Sequence, residues 1–254
     1  LWEAVWPHPG GRVEYLPPDD WRYYVIAFKG SPKVVYDLQA AFDLSPIELE
    51  VGFTLMHGTP RQGYAGWITW NPQRLLQLLG TGAVSSSFFV DVSASDIDDI
   101  KAVYAQLQQH DHRLVDMSQP VRQLGELKCL PPRSPLAFLG YFAVLESVLT
   151  HAPKPNDPYD SITRQVKVKL ALLDHRWSHP LDYSAFVDVP PDRIWTKMYA
   201  YRSTLAHGGT PSFTGSFREL RSHEAALMLI KEATKAVIRQ VLTEPQLLLD
   251  LREC

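Results

Sequence analysis

Between Leu136 and Thr150 the chain runs through fifteen residues of which only Glu146 is charged. The run falls short of the ~18–20 residues a membrane span needs, so it reads as the central helix of a bundle, covered on all sides. Ser134-Pro135 directly ahead supplies an N-cap and a proline at the first helical position. A proline-rich loop from His151 to Pro158 ends it.

Beyond that loop the chain continues in helices. Asp160 or Ser161 can open a helix whose Ile162, Val166, Leu170 and Leu173 form one stripe. Pro190-Pro191-Asp192 starts a third helix through Ile194, Met198, Tyr201 and Leu205, stopped by Gly208-Gly209. Ser216 or Ser222 begins a long fourth helix that reaches Val241, and Pro245 opens a short last one.

The residues before Pro120 have a different texture. Aromatic and β-branched runs at 21–30, 47–56, 64–70 and 88–92 predict strands. A short helix is expected between, over 71–80, with Asn71 as cap and Gly80 as stop, and another after Ser95 with Ile97, Ile100, Val103, Tyr104 and Leu107 at helical spacing. The segment Pro120 to Pro135 carries the clearest boundary signal. The expectation is therefore an α+β N-terminal domain over 1–130, followed by an all-α helical bundle over 131–254.

Composition limits the partners. With 21% charged residues and a net charge of -3, neither a disordered tail nor a general basic coat for nucleic acid is indicated. Residues 1–130 hold 10 basic against 15 acidic side chains and residues 131–254 hold 15 against 13, so the second half is the better partner for phosphate. Two cysteines, no membrane-length apolar run and no basic-then-apolar leader together give the expectation of a cytoplasmic protein.

Arg202 and His207 stand five residues apart, with Gly208-Gly209 after the histidine. On a regular helix that separation turns one side chain ~140° from the other, so they do not share a face. His207, however, falls in the last turn before the glycine stop, where a helix can tighten or open. An imidazole there can exchange protons near neutral pH, and arginine offers phosphate oxygens a planar, permanently charged fork. Attack of a ribose 2′-hydroxyl on its own phosphodiester requires those two functions and no metal. Read alone, such a pair is more often a surface arginine beside a capping histidine.

The setting shifts that weighting. Tyr201-Arg202-Ser203-Thr204-Leu205-Ala206-His207-Gly208 lies in the third helix of the helical half, after Leu145 to Thr150, a Pro/Asp loop and Asp160 to Lys167. Together these resemble the Apea-like branch of the HEPN superfamily, whose motif is an arginine, four to six residues and a histidine. The resemblance covers about the last 120 residues. It implies a HEPN-like helical bundle acting as a metal-independent endoribonuclease of antiviral defence or toxin systems, with no cofactor. It also implies a homodimer in which two Arg/His motifs meet across the interface, completing a site that one helix cannot. Arg202 would then bind and stabilise the scissile phosphate of an RNA substrate, and His207 would act as general base or acid. Ser203 stands where the family often has Asn, Asp or His and keeps a hydrogen-bonding group there.

Two further residues support the site. Glu146 is costly to bury unpaired among its apolar neighbours, so it either contacts Arg202 or His207 or stands at the solvated end of its helix. Tyr201, like Tyr199, could stack on a base, although on an amphipathic helix a tyrosine more often faces core or interface. On this reading residues 1–130 sense a trigger or restrain the activity. The alternatives are a non-catalytic module that dimerises or binds RNA or protein, and one partner of a nucleotidyltransferase pair. His175 and His179 have metal-like spacing with no cysteine nearby, His110-Asp111-His112 reads as a helix end, and Gly80-Thr81-Gly82 lacks the lysine of a phosphate loop. Trp21, Tyr23, Tyr24, Trp67 and Trp70 could form an aromatic platform or part of a core.

Overall fold

Serine caps set the frame. The computed structural model describes residues 5–7, 13–15, 33–47, 49, 53–57, 65–69, 91–131, 133–153 and 160–253. Among them eight helices form: α1 (Lys33–Leu44), α2 (Ala94–Gln109), α3 (Ser118–Leu127), α4 (Pro135–Leu149), α5 (Ile162–Arg176), α6 (Pro191–Ala206), α7 (His223–Thr243) and α8 (Pro245–Glu253). Ser134, Ser161 and Ser222 cap α4, α5 and α7, each accepting a backbone N–H of the first turn through its side chain. At α2 the cap is Ser93 rather than the expected Ser95, because Asp96 sits at the third helical position and closes a reciprocal capping box with Ser93.

Contacts divide the chain into residues 1–34 and 35–254. In the first unit β1 (Val5–Pro7) pairs antiparallel with β2 (Val13–Tyr15). In the second, β3 (Phe53–His57) pairs antiparallel with β4 (Ala65–Thr69), Phe53 opposite Thr69. These are two separate two-stranded ladders. Neither is a sheet layer on which helices could pack. The elements expected at 21–30 and 71–80, residues 88–90, Gly80-Thr81-Gly82 and four of the platform aromatics (Trp21, Tyr23, Tyr24 and Trp70) lie outside the described residues.

The expected α+β N-terminal domain is corrected by these observations: the architecture of the described residues is helical. Ala41 and Leu44 of α1, Ile100, Val103 and Leu107 of α2 and Leu124 of α3 join one buried cluster with Phe138, Phe142 and Leu145 of α4 and Ile230 and Val237 of α7. The physical reason is that a helical stripe such as Ile100, Val103 and Leu107 shows that a helix buries a face, but not against which neighbour. α3 ends at Leu127 and Pro135 opens α4, and the buried cluster includes residues of both.

α4 occupies the centre that its composition demands, packing most extensively on α7 and also on α3, α5, α6 and α8. Gly140 permits the approach of α3, since a Cβ there would stand 2.2 Å from Leu127 Cδ2. The carbonyls left over at the end of α4 are taken by cations. Arg252 donates to Val148 O at 2.8 Å and Ser147 O at 2.6 Å, and Lys169 donates to Leu149 O at 3.2 Å. Glu146, the residue just before these, is thus carried on a backbone fixed at its end. Among the described residues no helix is long and apolar enough to cross a membrane.

Candidate functional site

Two helices build the site. Glu146 projects from α4, its side chain 15% exposed, and meets two residues spaced one turn apart on α6. Tyr199 donates its hydroxyl to Glu146 Oε1 at 3.0 Å, and Arg202 donates through Nη2 to Glu146 Oε2 at 3.0 Å. Both carboxylate oxygens therefore have a partner, which is the condition for keeping a charge so near the core. Burial, and then the Glu146 charge, push the Tyr199 phenol far above its ordinary range, so it stays a donor. Phe142 packs edge-on against the Tyr199 ring at 5.1 Å.

Arg202 keeps a solvent face. Its side chain is 37% exposed, and its hydrogen bond to Glu146 uses one guanidinium nitrogen, leaving donors without an acceptor among the described residues. An arginine held on one side by a carboxylate and open on the other is preorganised to receive an oxyanion.

His207 is set by the way α6 ends. Gly208 adopts φ 71°, Gly209 N donates to Thr204 O at 2.8 Å and Gly208 N donates to Leu205 O at 3.1 Å. These are the paired bonds of a Schellman cap, in which Gly208 occupies the left-handed position open to a residue without Cβ. His207 is the last residue before it, with φ -95° and ψ 11°, and is exposed. At about 100° per residue, Arg202, Tyr199, Ser203 and His207 fan over about 140° of α6. Ser203 is exposed within that arc, and its carbonyl accepts the His207 N–H at 3.1 Å.

Tyr201 lies on the other side of the helix, in the core. It is 1% exposed and packs against Phe138, Phe213 and Phe217 with ring centroids 4.7, 5.4 and 5.4 Å away. Its hydroxyl shares a 2.7 Å hydrogen bond with His223 Nδ1. Burial, with help from the Glu224 charge, raises its pKa to about 12. Tyr201 thus anchors α6 against α7, while Glu146, Tyr199, Arg202 and His207 face away from that contact.

The other sequence signals resolve locally. His110 caps α2 and its Nε2 is 2.7 Å from Val115 O, while His175 Nδ1 is 2.6 Å from Ala171 O of its own helix. Among the described residues no three His, Cys, Asp or Glu side chains gather as metal ligands. Two residues of the arrangement were not legible in their roles: Tyr199, whose only signal is its three-residue spacing from Arg202, and His223, which no motif marks. No protein-family model matches the chain, and no curated protein or solved structure matches it either.

Proposed function

We propose that the chain is a metal-independent endoribonuclease acting in the cytoplasm in antiviral defence or as a toxin, in which Arg202 receives the scissile phosphate and His207 moves the proton. The observation that carries the reading is the pairing of Arg202 with Glu146, which orients a guanidinium on the surface of the same helix that ends in an exposed His207. The reaction needs a base for the 2′-hydroxyl, an acid for the 5′-oxygen and a cation for the phosphorane charge. One α6 offers a single imidazole, and its Arg202 and His207 diverge by about 140°. A second copy of the chain supplies the second imidazole, which is why the proposal includes a homodimer with α6 at or near its interface. The resemblance to Apea-like HEPN domains supports the same arrangement.

One observation favours a non-catalytic reading: the ion pair with Glu146 already takes part of the Arg202 charge, so a phosphate must share the guanidinium. Arg202→Ala and His207→Ala separate the two readings. Under the nuclease reading each lowers cleavage of single-stranded RNA by orders of magnitude with folding and self-association unchanged; cleavage equal to the unsubstituted chain contradicts it.

A further inference from the structure

At the opposite end of α6 an open cavity of about 350 Å³ lies between the 187–190 loop, the first turn of the helix and the turn before α7. Three arginines are among the residues that line it, Arg193, Arg218 and Arg221. Arg193 is committed, donating to Glu219 Oε1 at 2.8 Å, and Lys197 stands 3.6 Å from the other oxygen of that carboxylate. Arg218 is exposed, and its side chain has no hydrogen-bond or ion-pair partner among the described residues. Arg221 reaches across to Val187 O at 2.9 Å and has no carboxylate partner among them. With Glu219 neutralised, the wall presents Arg218 and Arg221 against the single carboxylate of Asp188.

The backbone that presents Arg221 is strained. Its φ of 62° and ψ of -60°, with Ser222 N donating to Leu220 O at 2.6 Å, make the rarer mirror form of the γ-turn. Across the cavity Asp188 is also left-handed, at φ 66°. Glycine avoids the cost of this conformation, and strain of this kind concentrates where a side chain must be aimed. Arg221 in this turn sends its guanidinium to the Val187 carbonyl, another residue of the cavity lining. Pro190, ahead of α6, lines it too, so the positive end of that helix adds to the field.

We propose that this cavity binds a phosphate-bearing anion, with Arg218 and Arg221 as its principal ligands. Its volume lies at the lower end of the ~300–1,000 Å³ usual for small-ligand sites, which suits a diphosphate or a nucleotide. Arg218, whose fork is unpaired among the described residues, and the exposed Arg221, which spends one nitrogen on Val187 O, favour phosphate over a monovalent carboxylate. The same chemistry is offered by a free diphosphate and by the backbone of a bound RNA strand, and the site does not depend on the reaction assigned to Arg202 and His207.

The test titrates pyrophosphate into the full chain by calorimetry. Arg221→Gly removes the charge and the left-handed strain together, so the melting temperature holds or rises while affinity falls at least roughly tenfold. Arg218→Ala gives a similar fall with an unchanged melt, and Arg122→Ala, at an exposed arginine of α3 outside both sites, leaves binding intact. A parallel arm uses a 2′-O-methylated oligouridylate, which cannot be cleaved. If the natural source is an RNA backbone, pyrophosphate binds weakly and each substitution lowers the salt dependence of oligonucleotide binding by about one ion. Affinities for both probes that are the same in Arg218→Ala, Arg221→Gly and the unsubstituted chain overturn the proposal, as does loss of pyrophosphate binding in Arg122→Ala.

Discussion

Arg202 donates to Glu146 Oε2 at 3.0 Å, so the one charge in the apolar helix α4 is matched by the arginine of the candidate site. Replacing Glu146 by Ala leaves Arg202 and the Tyr199 hydroxyl without their acceptor. Because the arginine is 37% exposed, water screens part of that loss, and the expected cost is about 1–2 kcal/mol in urea denaturation. Glu146→Gln, which keeps hydrogen bonding, costs less. On the nuclease reading both reduce cleavage more than they reduce stability, since the guanidinium is no longer oriented.

The Schellman cap gives a second prediction. Gly208→Ala forces a Cβ into φ 71° with no clash to relieve, so the cost is conformational, about 1 kcal/mol. A thermal melt checks it. If His207 acts from the cap, cleavage falls further than the melt alone explains, because the residue beside the substitution moves.

His223 makes stability depend on pH. Burial lowers its pKa below the ordinary 6.5, so the unfolded chain accepts a proton that the folded chain resists. This part of the stability is full above about 6.5 and is lost as pH falls from there through the lower folded value. Urea midpoints measured at pH 7.5 and pH 5 should drop less in His223→Gln than in the unsubstituted chain. Tyr201→Phe, which removes the hydroxyl bonded to His223 Nδ1, should cost about 1–2 kcal/mol at neutral pH.

One core implies one transition. Leu124 of α3 and Leu170 of α5 are each 1% exposed in the same buried cluster. Leu124→Ala and Leu170→Ala should each lower the same cooperative unfolding step by about 2–5 kcal/mol. Separate transitions, one shifted by each substitution, would contradict the shared core.

The sequence announced its helical half because the signals were local. The apolar run of α4, the serines at 134, 161 and 222, and the Gly208 stop each follow from capping or burial chemistry within a few residues. The packing of Ile100, Val103 and Leu107 on the later helices was not legible, since periodicity marks a face and not its partner. The Glu146 and Arg202 contact was one of the arrangements open to a lone charge, whereas Tyr199 as the second donor could not be expected. The cavity of Arg193, Arg218 and Arg221 was hidden for another reason. It depends on a positive φ at an arginine, where residue preferences point to glycine or asparagine.

Cleavage of a single-stranded RNA in excess EDTA by the unsubstituted chain and by His207→Ala, with the product ends identified, decides between the nuclease and the non-catalytic reading. The nuclease reading predicts products ending in a 2′,3′-cyclic or 3′-phosphate from the former and loss of cleavage by orders of magnitude in the latter. Cleavage that stops in EDTA, or that proceeds undiminished without the imidazole, contradicts it.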